Sequence, residues 1–116
     1  MLALENHGGI TSTAEQVEAL IAAVPSDWLA VNLDTGNFRH DPYGSIRRIA
    51  PLAVTCHAKT EIPAPDGKTD VDFARIVDDL NAVGYRGYLS IEYEAAEDPM
   101  TAVPRFSAEL LRLVRA

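Results

Sequence analysis

The sequence predicts an α/β fold of four consecutive βα units, and three observations lead there. Short apolar runs alternate four times with stretches whose apolar residues recur at helical spacing. Strands alternating with helices imply a parallel sheet with right-handed crossovers. Every apolar run also ends in an acid or a histidine, which sets the four strand ends apart from ordinary loop starts. At 116 residues, 47% apolar and 23% charged, the chain reads as one domain, residues 1–116, long enough to bury a core.

The first strand is expected over Leu2–Glu5, followed by a helix over about Ala14–Ala23. Val17, Leu20, Ile21 and Val24 share one face of that helix, and Ser12-Thr13-Ala14-Glu15 fits a capping box at its start. The second strand, Leu29–Asp34, leads to a short helix over about Tyr43–Ile49, entered through Asp41-Pro42 and closed before Pro51. The third strand, Leu52–His57, precedes a helix over about Val71–Val83, with Phe73, Ile76, Val77, Leu80 and Val83 in one stripe and Gly84 placed to stop it. The fourth strand, Tyr88–Glu92, leads to a last helix over about Pro99–Arg115. Phe106, Leu110, Leu113 and Val114 form its stripe, and Pro104 is expected to kink it or to mark where its regular part begins.

Composition narrows the function classes. No apolar run is long enough to span a bilayer, and no basic n-region with an apolar h-region opens the chain, so no membrane partner is expected. The single cysteine, Cys56, excludes an internal disulfide framework and fits a reducing compartment, with the cytoplasm as the expected location. A net charge of −7 argues against a nucleic-acid partner, because phosphate binding rewards clustered Lys and Arg.

The strand ends carry the chemistry. Glu5, Asp34, His57 and Glu92 close the four strands, and each interval between them is long enough for one strand–helix–strand unit. Side chains alternate faces along a strand, so Glu5 shares its face with Ala3, Asp34 with Asn32 and Ala30, His57 with Thr55 and Ala53, and Glu92 with Ser90 and Tyr88. The opposite face carries Leu2, Leu4, Val31, Leu33, Val54, Cys56, Leu89 and Ile91. A sheet covered by helices on both faces should be apolar on both, so a small, partly polar inner face fits a barrel wall better than an open sheet. Active sites of (βα)8 barrels lie at the C-terminal strand ends. Three carboxylates and an imidazole suit one divalent ion, Mn²⁺, Mg²⁺ or Co²⁺ before Zn²⁺.

Four motifs, Glu5-Asn6-His7, Leu33-Asp34-Thr35-Gly36-Asn37, His57-Ala58-Lys59 and Gly84-Tyr85-Arg86-Gly87-Tyr88 leading to Ile91-Glu92, resemble the xylose isomerase-like TIM barrels over essentially the whole chain. The resemblance implies that the chain is equivalent to the C-terminal half of a (βα)8 barrel, strands five to eight, with Glu5, Asp34, His57 and Glu92 as metal ligands. It implies an isomerase or epimerase of a sugar or sugar phosphate, with Glu5 and Glu92 as the acid/base pair. His7, two residues beyond Glu5, and Lys59, two beyond His57, keep the ligands' parity and are candidate substrate contacts, as is Asn37. The endonuclease IV branch of the same family would need further metal ligands and a basic surface, which the charge of −7 disfavours.

Four βα units leave a sheet with two open edges. A homodimer or higher oligomer is therefore expected, or pairing with a separate N-terminal half. The competing reading is a truncated, non-catalytic metal-binding half-barrel with a structural or interaction role.

Overall fold

The computed structural model describes residues 1–116 and has four parallel strands backed on one face by four helices. In chain order these are β1 (Leu2–Glu5), α1 (Ala14–Ala23), β2 (Leu29–Asp34), α2 (Pro42–Ile49), β3 (Ala53–Lys59), β4 (Glu61–Ala64), β5 (Gly67–Asp70), α3 (Phe73–Ala82), β6 (Leu89–Glu92) and α4 (Pro99–Arg115). The main sheet runs β1-β2-β3-β6, all parallel, and β4 pairs only with β5 in an antiparallel hairpin. All four expected βα units are present.

The helices pack on the face that strand alternation made apolar. Val31, Leu33 and Cys56 are fully buried there with Val17, Ile46, Ile49, Ile76 and Leu80, and Leu4 and Leu89 pack against them. A smaller cluster of Ala58, Phe73, Val77 and Leu110 seats α3 and α4. Burial pushes the Cys56 thiol up to about 12, so this side chain serves as core, as its parity implied.

Several details depart from expectation for local reasons. The capping box on α1 is Thr13 with Gln16, one residue later than Ser12 with Glu15, because the Ser12 hydroxyl donates instead to the Gly9 carbonyl. Helix α3 begins after Asp72, whose carboxylate accepts from the Arg75 N–H, and so excludes Val71. It ends before Gly84 at φ +70, as a left-handed stop requires. Pro104 lies inside an uninterrupted α4. Leu52 closes a single 3-10 turn, Ala50–Leu52, instead of opening β3.

One departure concerns strand parity. Val31 pairs with Ala53 but Asn32 pairs with Thr55, so Val54 is an extra residue in β3. Below this bulge Ala53 packs against the helix-side core and Val54 is partly exposed, the reverse of the expected faces. Above it the alternation holds.

The β4–β5 hairpin was not anticipated. Its two-residue loop is Pro65-Asp66, between Ala64 and Gly67. It follows the C-terminal end of β3, where Glu61 and Lys68 lie beside Lys59, Glu92 and Glu94.

Candidate functional site

The four strand-end residues rise diagonally across the sheet. Glu5 is level with Asn32, Asp34 with His57, and Lys59 with Glu92. Side chains of equal parity therefore converge at one end of the inner face. Glu5, Asp34 and His57 each offer a ligand atom, and the three atoms lie within 4.8 Å of one another. Nδ1 of His57 is 3.6 Å from Oε2 of Glu5, 3.8 Å from Oδ2 of Asp34 and 2.8 Å from Oε2 of Glu92. The last contact is close but lacks hydrogen-bond direction, since Glu92 Oε2 is buried without a hydrogen-bond partner.

Asp34 is the anchor. It is completely buried, and one oxygen accepts the Gly36 N–H at 2.8 Å while Oδ2 has no hydrogen-bond partner. Burial pushes its carboxyl up to about 6, aided by the neighbouring Glu92 and opposed by the Gly36 N–H and the Lys59 ammonium. A buried carboxylate oxygen with an unused lone pair, among further carboxylates and an imidazole, is a donor set that fits a divalent cation.

Three residues that sequence reasoning did not single out support this anchor. Asn6 is buried and grips β2: its Nδ2 donates to the Asp34 carbonyl, and its Oδ1 accepts the Asp34 N–H, both at 2.8 Å. Asn32 donates from Nδ2 to Glu5 Oε2 at 2.9 Å and lies 3.3 Å from His57 Nε2. Thr35 accepts the Lys59 N–H, tying β2 to β3 just above the ligands. For Asn32 a signal existed, since its parity placed it on the inner face two residues before Asp34. For Asn6 the signal was its place in the Glu5-Asn6-His7 motif, since it lies outside the strand pattern.

The expected substrate contacts are placed differently from one another. Lys59 is buried, and its Nζ lies 2.8 Å from Glu94, 3.1 Å from Glu92 and 3.6 Å from Asp34. Burial disfavours its charge, but these carboxylates more than compensate and hold the ammonium above its usual range. The same contact works on Glu92. Burial opposes ionisation there too, yet Lys59, Asp34 and His57 together hold the carboxyl below its ordinary range. The Lys59 stem crosses Gly36, where an added Cβ would sit 2.5 Å from Lys59 Cγ. Glycine is thus required for this lysine to reach the carboxylates.

His7 is exposed, and no hydrogen bond or ion pair joins its ring to the cluster; its backbone N–H donates to Thr11. Asn37 has a buried amide nitrogen with no partner, and lines a cavity of about 450 Å³ with Gly8, Gly9, Ser12, Arg39 and His40. Both residues stand on loops leaving the same sheet end, outside the ligand cluster itself.

Comparison with known proteins agrees with this architecture. The profile of a family described as xylose isomerase-like TIM barrel matches residues 1–113. No match was found among curated protein sequences. The fold is similar to a crystal structure of a xylose isomerase domain protein from Planctomyces limnophilus, with a TM-score of 0.74 and 21% identity over 98% of this chain. It is also similar to the structure of an L-ribulose 3-epimerase, with a TM-score of 0.72 and 24% identity over 99% of this chain. The chain spans 46% and 48% of those two chains, about half of each.

Proposed function

Given that the chain belongs to the xylose isomerase-like TIM barrel family and forms half of such a barrel, we propose that it works as the metal-holding half of a sugar or sugar-phosphate isomerase or epimerase. The observation that carries this reading is the convergence of Glu5, Asp34 and His57 within 4.8 Å, with a buried Asp34 oxygen lacking a hydrogen-bond partner. Glu92, 2.8 Å from His57, completes the ligand set. Mn²⁺, Mg²⁺ or Co²⁺ suits these oxygens best, and Zn²⁺ is compatible. When bound, the ion supplies polarisation of a ketose carbonyl and neighbouring hydroxyl.

The chain's own groups then account for proton movement. Glu5 and Glu92 approach the cluster from the two outer strands of the sheet, and both side chains keep part of their surface open at the site. Glu92 is held ionised by Lys59 and is ready to accept a proton. One glutamate removes the proton beside the carbonyl to give an enediolate. The other, entering the step protonated, gives its proton to the opposite face for epimerisation, or to the neighbouring carbon for isomerisation, so the pair holds one proton at the end as at the start. Asn32 and Asn6 keep Glu5 and Asp34 aimed, and His7 and Asn37 are the substrate contacts on the approach. Lys59 reaches a substrate oxygen only by releasing one of its carboxylates.

The test is deuterium uptake beside the carbonyl when metal-loaded protein meets a panel of ketoses and ketose phosphates in D₂O. Uptake that Glu5→Gln and Glu92→Gln both abolish is expected. A second reading, a non-catalytic metal-binding half-barrel, draws on the chain spanning only about half of each barrel it matches. Metal binding without any uptake would select it.

A further inference from the structure

The cavity of about 450 Å³ on the rim beside the metal ligands is lined by hydrogen-bond donors and by no carboxylate. We propose that it takes the phosphate group of the substrate, so that the sugar handled at this site is a ketose phosphate. The inference rests on the proposed function for the sugar, and on the cavity's own side chains for the phosphate.

Both walls of the cavity belong to this chain. Gly8, Gly9, Ser12 and Thr13 come from the loop between β1 and α1, and Asn37, Arg39 and His40 from the loop between β2 and α2. The two strands beneath are paired with each other, so the cavity stands over a closed seam of the sheet. Gly8 is three residues beyond Glu5, and Asn37 three beyond Asp34. Three residues of chain reach at most about 11 Å. A sugar with its carbonyl at the ligands can therefore carry its far end into this cavity.

The charge of the cavity runs against that of the chain. Acids outnumber Lys and Arg by 17 to 10, yet none lines it. Arg39 is exposed and pairs with no carboxylate, whereas Arg47, Arg48 and Arg105 each hold one. The acids of the flanking segments are engaged elsewhere. Glu15 pairs with Arg48, and the Asp41 carboxylate accepts the Gly44 N–H. A guanidinium left free at a cavity mouth suits a phosphate, which it can grip through two parallel N–H groups.

The neutral groups point the same way. The Gly8 carbonyl accepts both the N–H and the hydroxyl of Thr11, and the Gly9 carbonyl accepts the Ser12 hydroxyl. The glycine loop thus spends these acceptors on itself. Across from it, the Asn37 amide nitrogen is buried with no acceptor. Such a donor is rare unless a ligand completes it, and phosphate oxygens are acceptors of the kind it lacks. A Cβ at Gly8 or Gly9 would meet nothing within 4 Å, so the space beside the loop is open to a ligand.

The test begins with inorganic phosphate added to the chain in EDTA at constant ionic strength, followed by NMR. The Gly8 and Gly9 amide signals and the Asn37 side-chain signals should shift saturably, and chloride should not move them. Arg39→Gln, a change at an exposed loop position, should weaken the effect at least tenfold with the rest of the spectrum unchanged. A ketose phosphate should move the same signals, and the same ketose without phosphate should leave them in place. Absence of saturable shifts, or shifts that Arg39→Gln leaves intact, overturns the proposal. Inorganic phosphate that binds where the ketose phosphate does not would mark a site for free phosphate and overturn the substrate assignment. These readouts need neither metal nor turnover. Equal deuterium uptake from a ketose and its phosphate would overturn the substrate class and leave the enzymatic reading standing. Arg39-dependent binding of ketose phosphate without any uptake would refute the enzymatic reading and leave the phosphate site standing.

Discussion

The Asn6 side chain and the Asp34 backbone are joined by two reciprocal hydrogen bonds of 2.8 Å, both buried. Asparagine is a side chain that can donate to a carbonyl and accept from an N–H at once, so it continues the ladder where β1 has ended. The direction of the Asp34 carboxylate is thereby set by a residue from the neighbouring strand's loop.

Asn6→Ala should leave the Asp34 N–H and C=O buried and unpaired, at a cost of about 1–3 kcal/mol. Urea denaturation should show a lower midpoint with an unchanged slope. Divalent-ion affinity should fall as well, by about 10–100-fold, as for other groups that orient metal ligands.

The ligand set predicts a graded response to mutation. Asp34→Asn and His57→Ala should each abolish stoichiometric Mn²⁺ binding in calorimetry, because each removes a donor from the three-residue convergence. Glu92→Gln should weaken binding less, since its side chain is the more exposed contact of His57. Equal Mn²⁺ stoichiometry in Asp34→Asn and the parent would eliminate the site.

The raised Asp34 carboxyl, at about 6, gives a signed pH dependence. Below about 3.8, its ordinary value, folded and unfolded chains both carry the proton. Between there and about 6 only the folded chain keeps it, so this residue's contribution to stability falls as pH rises through that window and is lost above it. Thermal unfolding in EDTA should show this decline, and Asp34→Asn should flatten it. Metal affinity should run the other way, rising with pH through about 6 as the competing proton leaves.

Lys59→Met removes the ammonium from Glu92, Glu94 and Asp34 together. The metal-free chain should lose stability, because three carboxylates then face one another without a counter-charge. Added Mn²⁺ should raise Tm by more than it does in the parent. An identical metal-induced shift in both proteins would show that the lysine does not share the ion's place.

Gly36→Ala places a methyl 2.5 Å from Lys59 Cγ and 3.1 Å from the Glu61 carbonyl. Displacing them should cost about 1–3 kcal/mol, as overpacking does elsewhere. Chemical denaturation should show that loss, and the Lys59→Met variant should reduce it, since a flexible thioether yields more readily.

The four βα units and the convergence of Glu5, Asp34 and His57 were legible because period-2 and period-3.6 patterns report burial directly, and a repeated acid or histidine at strand ends is rare as noise. What was not legible depends on contacts made only after folding. Asn6 stands in the Glu5-Asn6-His7 motif, but its grip on the β2 backbone is a contact that no local pattern shows. Lys59 is expected from its parity to meet substrate, yet its ammonium is held by Glu94, two residues past Glu92. Ala53 and Val54 exchanged faces because an extra residue shifts parity without leaving a trace in composition. The β4–β5 hairpin was hidden by Pro63 and by an exposed β5, which obscure the alternation that betrays a half-buried strand.

The bulge at Val54 separates two jobs within one strand. Below it, Ala53 packs on the helix side; above it the strand alternates, with Cys56 and Ala58 in the helix-side core and His57 and Lys59 among the charges at the mouth. A one-residue slip in a regular strand would turn His57 toward the core and empty the site. Here such a change at the base of β3 is absorbed where the pairing is already irregular, and His57 keeps its heading. A change in length at the base of β3 should therefore alter its packing on the helices and leave the direction of His57 as it is.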